Sequence, residues 1–89
     1  MLFMVIEKFK PGAVREIYER ALKMGRMLPN GLEYINSWPS ENLTMCFQLM
    51  RCDELHLIEA WTQKWEDLVE FEVIPVISSA AASEKALRQ

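Results

Sequence analysis

The chain predicts an α+β fold made of two consecutive strand–helix–strand units, and three observations predict it. Leu2 to Phe9 is apolar on both sides of a two-residue period, the pattern of a central strand in a sheet covered on both faces. Two helical stripes, one from Val14 to Leu22 and one from Leu57 to Leu68, each stand between strand-like runs. Only Pro39-Ser40-Glu41-Asn42, a loop of hairpin length, separates the two halves.

Taken in order, the first strand carries Leu2, Met4 and Ile6 on one side and Phe3, Val5, Glu7 and Phe9 on the other. Pro11-Gly12 ends it, and proline suits a first helical turn, so the first helix is expected from about Pro11 to Met27. Pro29-Asn30-Gly31 stops that helix, because Asn and Gly tolerate the positive φ of a tight turn. Leu32 to Trp38 and Leu43 to Met50 alternate as the second and third strands. Asp53 is the expected N-cap of the second helix, whose stripe is Leu57, Ile58, Trp61, Trp65 and Leu68. Val69 to Ile77 is the fourth strand, and Pro75 restricts it to an edge or a bulge. The Ala-rich end, with Ser83 as its expected cap, reads as a loose terminal helix.

The order βαββαβ is the split βαβ, or ferredoxin-like, arrangement: a four-stranded antiparallel sheet with two helices on one face, plus an extra C-terminal helix. The domain is expected over residues 1–78 and a helical tail over 79–89. Right-handed crossovers put the first and third strands in the centre and the second and fourth at the edges. If the four-residue loop sets Trp38 opposite Leu43, then Asn36 faces Met45, Tyr34 faces Phe47 and Leu32 faces Leu49. That face, with Leu2, Met4, Ile6, Val69, Phe71 and Val73, is assigned to the helices. The opposite face would hold Phe3, Val5, Glu7, Phe9, Ile35, Cys46, Gln48, Met50, Ile74 and Val76. It is too apolar to leave in water, and a homodimer through this sheet face would cover it.

Bulk composition narrows the classes. Eighty-nine residues, 51% apolar and 26% charged, make one ordinary globular domain. No run approaches the ~20 apolar residues of a membrane span, and Met1 to Ile6 lacks the basic start and length of a signal peptide. Cytoplasm is the expected location. Cys46 and Cys52 lie up to ~20 Å apart along an extended path, too far for a disulfide. A net charge of −3 offers nucleic acid no general attraction. Residues 7–26 hold six Lys or Arg against three Glu, while residues 53–72 hold seven Asp or Glu against one Lys. This asymmetry either steers two copies together or is simply two solvated helix faces.

Several stretches resemble a group of short, mainly bacterial proteins of unknown function. They are the opening Met1 to Lys10, Gly25 to Leu32, Cys46 to Met50 and Asp67 to Val76. That group looks like part of the dimeric α/β-barrel superfamily, which includes cofactor-free monooxygenases, muconolactone isomerase-like enzymes and haem-degrading enzymes. The resemblance covers about Met1 to Ser79. It implies a dimer with a site in a cleft between sheet and helices, but no catalytic motif of the superfamily matches.

The candidate chemistry is therefore read from single residues. His56 is the only histidine; it is the one imidazole available for proton transfer, or else an exposed helix residue. With Cys52 four residues earlier it offers two metal ligands, too few for a zinc site, so no metal and no cofactor are expected. Glu7, on an apolar strand face, is either a carboxylate of raised pKa or a partner for Lys or Arg across the dimer. Trp61 and Trp65 lie one helical turn apart. With Tyr34, Asn36, Trp38 and Arg26 they line an aromatic cleft for a flat, partly polar ligand, or they simply fill the core. Three functions follow from this: a homodimeric small-molecule-binding or sensing domain, a cofactor-independent monooxygenase- or isomerase-like enzyme using His56, Glu7 or Tyr34, and a purely structural or partner-binding dimer.

Overall fold

A computed structural model describes residues 1–88. The elements run β1 (Leu2–Phe9), α1 (Val14–Met24), β2 (Glu33–Pro39), β3 (Met45–Arg51), α2 (Leu55–Gln63), β4 (Val69–Val76) and α3 (Ser79–Leu87). The sheet order is β2-β3-β1-β4 with every neighbouring pair antiparallel. This is the ferredoxin-like arrangement, with the doubly apolar strand central and the Pro75 strand at an edge.

For β1 and β3 the faces are the reverse of the expectation, while β4 keeps Val69, Phe71 and Val73 on the helix side and Ile74 and Val76 outside, as expected. Phe3 and Val5 are buried against the helices, in one core with Ile17 of α1, Ile58 and Trp61 of α2, and Trp65 and Leu68 beyond it. Register extends this side across the sheet: Val5 pairs with Gln48 and Val73, Glu7 with Cys46 and Phe71. Leu2, Met4 and Ile6, with Met45, Phe47 and Leu49, lie on the outer face, joined there by Ile74 and Val76. Periodicity could not choose between two apolar sides. Packing does so, with Phe3, Val5 and Met50 closing on Ile58 and Trp61 in one core.

The β2–β3 register also differs. Trp38 pairs with Phe47 and Pro39 with Cys46. Ser40 holds the longer loop closed, its Oγ accepting from the backbone N–H of Thr44 at 3.2 Å and of Met45 at 3.1 Å. An irregularity between Tyr34 and Asn36 then puts Tyr34 on the helix side, opposite Met50, while Asn36 and Trp38 stay outside with Leu49 and Phe47.

Helix ends follow the local chemistry. α1 is shorter than expected because Gly12 and Gly25 stand at φ +76° and +68°, outside helical geometry. Gly25 closes the helix by donating its N–H to Ala21 O at 2.8 Å. Asp53 does not cap α2, which begins after an extended Glu54 that makes no side-chain cap bond. Ser78, not Ser83, caps α3, its Oγ accepting from Ala81 N–H at 3.1 Å. α3 has no buried residue, so it does not cover the outer face. Gln89, the last residue of the expected tail, lies outside the described residues.

Candidate functional site

On the helix side, α1 stands away from the sheet over a cavity of about 420 Å³. Glu7 and Phe9 of β1, Ser37 and Pro39 of β2, and Cys46 and Gln48 of β3 form its floor. Ile17, Tyr18, Ala21 and Leu22 of α1 form one wall, and Gly25, Arg26, Trp61 and Trp65 close the end.

The wall is tied down from two sides. Arg20 grips Asp67 with two bonds of 3.0 and 2.7 Å and also donates to Lys64 O at 3.0 Å. Its guanidinium lies 5.4 Å from the centre of the Trp65 ring. This pair holds Asp67 below the usual carboxylate range, and it takes up inside the chain some of the charge asymmetry seen in the sequence. The α1–β2 connection is fixed by the two indoles: Trp61 Nε1 and Trp65 Nε1 both donate to Arg26 O, at 2.8 and 3.1 Å. Lys64 Nζ donates to Met27 O at 2.9 Å. These bonds flank Met27, which adopts φ +60°, a left-handed conformation costing a side-chain residue about 1 kcal/mol. Arg26 then lays its guanidinium 3.6 Å from the centre of the Tyr34 ring.

Glu7 is the unusual group. Burial raises its carboxyl pKa to about 7, and the positive charge of Arg26 only partly opposes this. Its Oε2 is buried with no hydrogen-bond partner among the described residues. The Cys46 thiol is pushed up to about 11, first by burial and then by the Glu7 charge, so it stays protonated and is a poor nucleophile. Burial and the same two neighbours also raise the Tyr18 hydroxyl.

Of the residues singled out from the sequence, Glu7, Arg26, Trp61 and Trp65 meet at this cavity. Tyr34 sits beneath Arg26, with its hydroxyl 2.7 Å from Ser37 Oγ. Asn36 and Trp38 are on the other side of the sheet and do not line it. His56 is exposed on α2, its Nδ1 3.1 Å from a Glu54 oxygen, outside the cavity lining. Glu7 faces the helices, not the outer face, so the expected cross-dimer pairing through that face does not apply. Sequence reasoning missed Ser37, Gln48, Tyr18 and Cys46 as lining residues. Gln48 and Cys46 follow directly from Glu7 once the strand faces are assigned correctly.

Among the described residues, no three His, Cys, Asp or Glu side chains gather as a metal site. Among the same residues no helix is long and apolar enough to cross a membrane. Residues 1–89 match the model of a family described as a domain of unknown function (DUF3303), and the chain belongs to that family. No curated protein and no solved structure matches it.

Proposed function

We propose that this DUF3303 member is a small-molecule-binding domain that works as a homodimer, with its ligand in the cavity between α1 and the sheet. The observation that carries the reading is a buried, unpartnered carboxylate oxygen on Glu7, a residue that lines an open cavity of about 420 Å³. That volume lies within the ~300–1,000 Å³ usual for small-molecule sites. The walls fit the same reading: mostly aromatic and aliphatic, with few polar groups. Burying a polar atom without a partner costs free energy, and a ligand group would relieve that cost.

The dimer rests on the outer face. Leu2, Met4, Ile6, Phe47 and Leu49 are half-buried there, and Trp38 is 51% exposed. A second copy packed sheet to sheet about a two-fold axis covers this surface and leaves the cavity on the far side free.

The carboxylate also favours a second reading, a cofactor-independent enzyme. A Glu with a pKa near 7 is suited to take and return a proton at neutral pH, and Glu7 rather than His56 would be that group.

The test of the binding reading is to fill the cavity. Ala21 lines it, and Ala21→Phe places a ring inside without touching the outer face. The readout is Trp61 and Trp65 fluorescence during titration with a neutral apolar compound, 2-phenylethanol. Saturable quenching in the parent chain that is lost in a folded Ala21→Phe variant is expected. Equal quenching in both, or none in either, sinks the reading.

A further inference from the structure

We infer that the cavity takes an apolar amine, with its protonated nitrogen meeting the Glu7 carboxylate and its hydrocarbon body lying among the aromatic walls. The inference rests on the binding reading above and adds the chemical class of ligand.

Several of the donors at the cavity are committed within the protein, and the Tyr18 hydroxyl and the Arg26 guanidinium remain beside them. Both indole N–H groups are spent on Arg26 O. Gln48 Nε2 donates to Met50 Sδ at 3.4 Å. The Ser37 and Tyr34 hydroxyls bond each other at 2.7 Å. Arg26, the cation nearest in influence, is exposed and stacked on Tyr34. The uncommitted buried atom is an acceptor, Glu7 Oε2. A buried acceptor without a partner selects a ligand that donates, and an ammonium brings up to three donors. An anionic ligand would meet the one carboxylate in the lining, with only the exposed Arg26, already stacked on Tyr34, to offset the repulsion. Phe9 and Tyr18 line the same cavity, and an aromatic face attracts a cation and not an anion.

The charged and titratable groups facing Glu7 are Arg26 from the α1–β2 connection, Cys46 from β3 and Tyr18 from α1; β4 contributes the apolar Phe71. Cys46 and Tyr18 are neutral at pH 8, so Glu7 alone titrates in the neutral range. Its raised pKa gives the expected pH dependence. An alkylammonium stays protonated through pH 8 and prefers the ionised carboxylate, so affinity rises between pH 6 and pH 8. The ionised fraction of a group titrating near 7 grows about tenfold over that interval.

The experiment uses three test ligands with one body and different heads: phenethylamine, 2-phenylethanol and 3-phenylpropionate. Binding is measured by calorimetry at pH 6 and pH 8 on the parent chain and on Glu7→Gln. At pH 8 the amine is expected to bind at least tenfold tighter than the alcohol, and the acid weakest. Amine affinity should rise about tenfold from pH 6 to pH 8 in the parent and stay flat in Glu7→Gln, while the alcohol changes little. Alcohol equal to or tighter than amine, or amine affinity that falls with pH, overturns the ligand class and leaves the binding site standing. No binding of any of the three overturns both.

Discussion

The two faces of the sheet are alike in sequence and unlike in structure. On the helix side, Phe3, Val5 and Met50 are sealed into a core, and the same strands carry Glu7, Cys46 and Gln48 into a cavity. On the outer side, Leu2, Met4, Ile6, Phe47 and Leu49 form an apolar surface flanked by Lys8, Arg51, Glu70 and Glu72, with no helix over it. Apolar residues alone do not say which face binds a ligand and which binds another protein. The difference lies in where the polar atoms are. The helix side buries a few among apolar walls; the outer face, proposed above for assembly, keeps them at its margin, the arrangement typical of protein interfaces.

The sharpest way to separate the faces is to remove one aromatic residue from each. Trp61→Ala on the helix side deletes a buried indole, its bond to Arg26 O and its edge contact with Phe71, whose ring centre lies 5.6 Å away. It is expected to cost about 3–5 kcal/mol in urea unfolding, enough to leave the domain marginal. Phe47→Lys on the outer side is expected to cost about 1 kcal/mol or less in the monomer, because the site is half open and a lysine stem can lie along it. Its large effect should be on assembly, halving the mass seen by light scattering at micromolar concentration. A Phe47→Lys protein that keeps the parent's mass would mean that the outer face is not where two copies meet.

The second contrast is electrostatic and belongs to the helix side alone. Glu7 has a folded-state pKa near 7 against an ordinary 4.5. The folded chain therefore holds a proton that the unfolded chain has released between those values. Stability is lost as pH rises from about 4.5 to 7 and levels off above, by an amount on the order of 3 kcal/mol if the shift is taken in full. Glu7→Gln keeps the shape and removes the titration. It should match the parent near pH 4.5 and become the more stable protein at pH 8. Parallel stability–pH curves for the two chains would show that the Glu7 carboxyl is solvated when folded.

Much of this was legible in the residues. The span of β1, the edge position of the Pro75 strand and the element order all follow from period, proline chemistry and crossover handedness. Glu7 also stands out, as a carboxylate on an apolar strand face, and so do Trp61 and Trp65, as large aromatic residues one helical turn apart. What was not legible has particular causes. A strand apolar on both sides carries no label for which side the helices cover. The β2–β3 register depended on Ser40, whose hydroxyl closes a longer loop than the turn residues suggest. The irregularity beside Ile35 then put Tyr34 on one face and Trp38 on the other. No spacing rule detects this in a single sequence, and it is why alternation groups Asn36 and Trp38 with a cavity they do not reach.

The smallest effect expected concerns α3, and it bears on the same comparison. Every described residue of this helix is exposed, Leu87 83% so, and only the Ser78 cap and its own backbone bonds support it. A nine-residue helix with so little packing is marginal by itself. Ending the chain at Ser78 should therefore change urea unfolding of the monomer by less than about 0.5 kcal/mol. Ligand titration monitored through Trp61 and Trp65 should be unchanged, because no α3 residue lines the cavity. Light scattering on the same truncated chain supplies the discriminating reading. An unchanged dimer means that the sheet face suffices for assembly; a loss of mass with unfolding unaltered means that α3 lies on the partner and belongs to the assembly side. A large loss of monomer stability would contradict its exposure and place it in the fold itself.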